Sequence, residues 1–100
     1  MQSHRADVTA TVFLFPTDAG GRSGPTPAST FNCLMVIDEI NFDVRLHLEE
    51  TGAISPGQTV QVPISFLTPE QARQYCSVGK EFLLREISLI GKGKIEAVVF

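Results

Sequence analysis

From Gln58 to Phe66 runs the clearest alternation of the chain. Val60, Val62, Ile64 and Phe66 are apolar, and Gln61, Pro63 and Ser65 lie between them. Consecutive side chains of an extended chain point to opposite faces, so this period of two predicts a strand with one buried face. The pattern recurs. Val8, Ala10, Val12 and Leu14 alternate with Thr9, Thr11, Phe13 and Phe15, and Phe42, Val44, Leu46 and Leu48 alternate with Asp43, Arg45 and His47. The first of these segments turns apolar on both faces near its end, which predicts cover on both sides there. Pro63 has no N–H, so its strand is expected at a sheet edge or at a bulge.

Six such segments are expected: residues 7–15, 31–37, 42–48, 58–66, 80–87 and 94–100. In the fifth, Phe82 and Leu84 share one face, and Leu83, Arg85 and Ile87 the other. Turn chemistry separates the segments. Thr17 to Thr30 holds three glycines and two prolines, which predicts a long irregular loop, and loops of that length are often functional. Ser55-Pro56-Gly57 is a strong turn signal. Gly91 and Gly93 are expected to flank Lys92 in another turn. The one helical signal is Thr68 to Tyr75, with Thr68 as N-cap, Pro69 at the first helical position and Gln71 completing a capping box. Short strands with almost no helix predict an all-β sandwich or barrel.

One hundred residues fit a single domain, expected over residues 6–100 after a tail of residues 1–5. The net charge of -3 lacks the strong basic excess of a dedicated nucleic-acid binder. Basic residues do gather in the last third, where Arg73, Lys80, Arg85, Lys92 and Lys94 leave room for a local basic patch. Cys33 and Cys76 have no metal-ligand spacing, and reduced, buried thiols are expected, with no metal and no cofactor. His47 falls on the polar face of its segment and is expected to be solvated. There is no signal-peptide core and no apolar run long enough to cross a bilayer, so a cytoplasmic location is expected, with no membrane partner.

Several motifs, in order, resemble the C-terminal (third) domain of elongation factor Tu and related translation GTPases. The first strand is followed by Gly20-Gly21-Arg22 and then Thr26-Pro27. Pro56-Gly57 opens the alternating strand of Val60 to Phe66. Phe82-Leu83-Leu84-Arg85-Glu86 is similar to the family's Phe-Ala-Ile-Arg-Glu strand, and Gly91 to Val99 to its closing strand. The resemblance spans about residues 6–100. It implies a six-stranded antiparallel β-barrel that contacts tRNA and proteins. It also implies that Arg22 reaches toward an RNA backbone, and that Arg85 and Glu86 match the arginine and glutamate that precede a Gly-Gly turn in the family. Ile87 and Ser88 occupy positions where the family has glycines.

These 100 residues hold no Gly-x-x-x-x-Gly-Lys-Ser/Thr loop, so neither nucleotide binding nor GTP hydrolysis is expected of them. The expectation is a non-catalytic binding module whose partner is a protein or a structured, tRNA-like RNA. Its working surface would comprise Gly20, Gly21, Arg22, Thr26, Arg85, Glu86, Lys92 and Lys94. A structural or oligomerising domain is the alternative. A small hydrolase, with Ser23, Ser29, Cys33 or Cys76 as nucleophile and His4 or His47 as base, has no supporting motif. The sequence favours no oligomeric state.

Overall fold

A computed structural model describes residues 6–100. The expected tail, residues 1–5, and His4 lie outside the described residues. Six antiparallel strands close into a barrel: β1 (Val8–Leu14), β2 (Thr30–Ile37), β3 (Ile40–His47), β4 (Thr59–Phe66), β5 (Glu81–Arg85) and β6 (Leu89–Val98). Around the wall the order is β1-β4-β3-β2-β5-β6, and β6 pairs back to β1. The only α-helix among the described residues, α1 (Pro69–Ala72), passes into a 3-10 turn (Arg73–Tyr75).

The alternation fills the barrel as expected. Val8, Ala10, Val12 and Leu14 of β1 meet Val62 and Ile64 of β4, Leu46 of β3, Met35 of β2, Leu84 of β5 and Ile95 of β6 in one core. Phe13 and Phe15, on the other face of β1, are half-buried and meet edge-to-face at 6.0 Å. A bulge in the β1–β6 pairing and another in the β5–β6 pairing add the local bend and twist that closure needs.

Four sequence expectations are corrected. The Gly91–Gly93 stretch is not a turn. It runs inside β6, whose ten residues begin at Leu89, and the β5–β6 turn lies instead at Glu86–Ser88, where the Glu86 N–H donates to the Ser88 carbonyl at 3.0 Å. The two glycines are inward positions. A Cβ on Gly93 would lie 2.4 Å from the Phe82 ring, and one on Gly91 would lie 2.6 Å from the Phe13 carbonyl oxygen. Absent side chains therefore make room for a ring inside a narrow barrel. The capping box does not form, because Thr68 makes no side-chain cap bond. His47 is buried, as described below. The loop from residue 17 contains one short 3-10 turn, Thr17–Ala19.

Pro63 has a more local explanation than an edge. β3 pairs with β4 only through Val44, Arg45 and Leu46, opposite Phe66, Ser65 and Ile64. Pro63 lies one residue past that ladder and pairs with Thr9 of β1 on its other side. Its missing N–H falls where β3 offers no ladder partner.

The β2–β3 connection stores strain. Asp38 and Glu39 form a two-residue turn at φ 51° and 69°, the left-handed region that favours glycine. Lys80 Nζ holds Asp38 Oδ1 at 2.9 Å. Glu39 makes no ion pair among the described residues, and a left-handed residue with a side chain costs about 1–2 kcal/mol. We expect Glu39→Gly to raise stability by about 1 kcal/mol in urea titration. An unchanged or lower midpoint would show that the turn is relaxed as it stands.

Candidate functional site

Clefts indent the outer wall, two of them near the residues singled out in the sequence. The first, of about 610 Å3, crosses β5, β2, β3 and β4 and is lined by Asn32, Cys33, Leu34, Asp43, Val44, Arg45, His47, Ser65, Phe66, Leu67, Arg85 and Glu86. Strand register explains the grouping. Leu34 of β2 stands opposite both Arg85 of β5 and Asp43 of β3, and Arg85 stands opposite Leu89 of β6. The Leu67 N–H donates to the Asp43 carbonyl at 2.9 Å, which places Leu67 next in the same row. The row therefore reads Leu89, Arg85, Leu34, Asp43, Leu67, alternating apolar and charged. One step along, Asn32, Arg45 and Ser65 form a second row, and the Arg45 Nε donates to Asn32 Oδ1 at 3.0 Å.

The Gly20–Thr26 segment is held to the barrel rather than extended from it. Gly20 ends the 3-10 turn at φ 91°. The Gly21 N–H donates to the Pro16 carbonyl at 3.0 Å, and a Cβ there would lie 2.1 Å from the Phe15 carbonyl oxygen. Arg22 then folds inward. Its guanidinium carbon sits 4.9 Å from the Phe31 ring centre, and its Nη1 donates to Glu86 Oε2 at 3.5 Å. Its Nε is buried without an acceptor among the described residues. Thr26 is buried too. Its N–H donates to the Ile54 carbonyl at 3.0 Å, its hydroxyl oxygen accepts from the Ile54 N–H at 2.9 Å, and its hydroxyl donates to the Pro27 carbonyl. Gly21 and Thr26 thus fix the loop, while Arg22 links it to Glu86.

Lys92 and Lys94 lie elsewhere. They point outward from β6 into the second cleft, of about 630 Å3, with Phe13, Leu83, Asp38, Glu39, Glu81 and Glu96. Lys92 lies 6.0 Å from the Phe13 ring centre. Four carboxylates against these two lysines make that cleft unlike a polyanion groove. Of the residues singled out in the sequence, the structure brings Arg22, Arg85 and Glu86 together around one wall and places Lys92 and Lys94 on another. It adds Leu34, Asp43, Arg45, Ser65, Leu67 and Leu89, which sequence reasoning missed. The alternation marked most of them as outward, but only the strand order puts them side by side.

The corrected His47 belongs to the first cleft. It is buried, and its Nε2 is hydrogen-bonded to Ser65 Oγ at 2.7 Å. It lies on the outward face of β3, yet it is buried where its ring meets Ser65 of β4. The amide that follows Ser65, the Phe66 N–H, donates to Asp7 Oδ2 at 2.8 Å. Among the described residues no group of three or more His, Cys, Asp or Glu is placed to hold a metal ion, and no helix is long and apolar enough to cross a membrane.

The cysteines are free thiols held away from ionisation. Burial, and secondarily Glu86, pushes Cys33 up to about 12 against the opposing pull of Arg22. Burial, with Asp7, pushes Cys76 up to about 11. The thiolate is the reactive species, so both should react with disulfide reagents at pH 8 far more slowly than after unfolding in urea. Linkage gives a second consequence. The folded state keeps these protons after the unfolded chain releases its own near pH 9, so the contribution is whole below pH 9. It is lost as pH rises toward about 11 for Cys76 and about 12 for Cys33. A Cys33→Ala, Cys76→Ala chain should show a shallower alkaline loss of stability than the parent. Equal alkaline slopes would refute the assignment.

No family model matches this chain, and no curated protein sequence matches it.

Proposed function

We propose that this chain is a non-catalytic, protein-binding barrel of the elongation factor Tu C-terminal type, with no GTPase machinery in its own 100 residues. The observation that supports this reading is the outward row of Leu89, Arg85, Leu34, Asp43 and Leu67. Leu67 is 73% exposed and Leu89 40% exposed. Exposed leucines around an arginine fit a protein interface, where a few apolar and arginine anchors carry most of the binding energy.

An RNA partner fits the geometry less well. Arg22, the residue the family resemblance would aim at an RNA backbone, is spent on Phe31 and Glu86. Asp43 and Glu86 line the same cleft as Arg85 and would repel phosphates.

A pull-down with the tagged chain, with and without ribonuclease, tests the reading. A protein should be captured whether or not ribonuclease is added. Arg85→Glu should lose it and Lys94→Glu should keep it. Capture abolished by ribonuclease would transfer the function to RNA. No capture, together with a multimeric mass by light scattering, would favour a structural, self-associating role.

A further inference from the structure

We propose that the Leu89–Arg85–Leu34 part of the wall is the docking site for an extended acidic segment of a protein partner, one that sets a carboxylate between aliphatic side chains. This rests on the reading of the barrel as a protein-binding module and names the chemistry of what it binds.

Among the described residues Arg85 makes no ion pair. Glu86 faces Arg22 at 3.5 Å. Asp43 shares its face of β3 with Arg45, two residues on. The ion pairs among the described residues join Arg22 to Glu86 and Lys80 to Asp38, and neither involves Arg85. Its cross-strand neighbours are Leu34 and Leu89, both apolar. A guanidinium presents a planar fork that takes a carboxylate through two parallel hydrogen bonds. Aliphatic neighbours that exclude water on docking make that pair stronger than an ordinary surface ion pair.

The wall as a whole points the same way. With Glu86 paired to Arg22, Arg45 and Arg85 outnumber Asp43 in the cleft lining, on a chain whose net charge is -3. The complement is therefore negative, but not uniformly so. A nucleic acid carries a charge at every nucleotide and would set some of them against Asp43 and Glu86. An acidic peptide can space its carboxylates and fill the gaps with leucine-like side chains. The row from Leu89 to Leu67 crosses five strands, about 19 Å at the usual strand spacing, which is the reach of about six extended residues.

The test uses the full chain, labelled with nitrogen-15, and an acetylated, amidated hexapeptide alternating leucine with aspartate. Amide shifts are followed during titration. Saturable shifts centred on Leu34, Arg85 and Leu89 are expected, and Arg85→Ala should weaken binding about tenfold or more. Arg85→Glu should bind the matching leucine–lysine peptide, which the parent chain should not. Arg85 is exposed at the end of β5, so these variants should retain the parent's dispersed spectrum. The proposal is overturned if the acidic peptide does not saturate. It is equally overturned if the shifts gather around Lys92 and Lys94, if Arg85→Ala binds as tightly as the parent, or if an RNA hairpin displaces the peptide from the row. A protein captured in the pull-down and lost with Arg85→Glu, while the peptide fails to bind, overturns the acidic chemistry alone and leaves the binding-module reading standing.

Discussion

Gly93→Ala is expected to cost about 3 kcal/mol, the upper part of the usual range for overpacking a tight core. The added Cβ would lie 2.4 Å from the Phe82 ring and 2.6 Å from the Thr11 carbonyl oxygen. One obstacle is a ring that is 97% buried and the other is backbone of the neighbouring strand, so neither can yield cheaply. For a domain of this size the loss corresponds to a fall in Tm of roughly 15 °C. The mechanism has its own check. In a Phe82→Leu background much of the ring clash is gone, so the two losses should sum to less than their separate values. The contact with the Thr11 oxygen would persist, and relief should be partial. Strictly additive losses in urea titration would show that the ring is not what Gly93 accommodates.

Gly21→Ala should be nearly as damaging, at about 2–3 kcal/mol, although it sits in a loop. Its Cβ would lie 2.1 Å from the Phe15 carbonyl oxygen and 2.9 Å from that of Pro16, both backbone atoms. Gly24, three residues on, is the control. A Cβ there meets nothing within 4 Å, so Gly24→Ala should be neutral or slightly stabilising. Gly21→Ala should also move Arg22 off Phe31, seen as a loss of the ring-current shift on the arginine protons. If both alanine variants behaved alike, the Gly-Arg turn would owe nothing to its packing.

Much of the architecture was legible because its cause is local. Alternation at Val8–Leu14, Phe42–Leu46 and Val60–Phe66 depends only on side chains pointing to opposite faces, and those residues do face inward. The helix at Pro69–Ala72 was legible from Pro69 at its first position, while the capping bond expected of Thr68 did not follow, since a cap also needs the right dihedral angles. The site was less legible. Arg22, Arg85 and Glu86 were named from motif order and are neighbours. Lys92 and Lys94, expected as the basic residues of a Gly91–Gly93 turn, face another cleft, because that stretch is strand.

The misplaced turn shows where local reasoning ends. Glycine between two lysines reads as a turn when judged by conformational freedom alone. In the barrel Gly91 and Gly93 answer a different demand, the need for empty space beside Leu14 and Phe82, which are distant in sequence. His47 is a parallel case: it lies on the polar face, and it is nonetheless buried against Ser65, 18 residues away in sequence.

By itself the sequence determined which residues turn inward, since that follows from a period of two and needs no knowledge of neighbours. Only the tertiary structure decided which outward residues meet. Strand order and register brought Leu89, Arg85, Leu34, Asp43 and Leu67 into one row from separate segments of the chain. The physical reason is that burying apolar side chains constrains one face of a strand, whereas the company kept by the other face is fixed by backbone pairing that sequence periodicity does not encode.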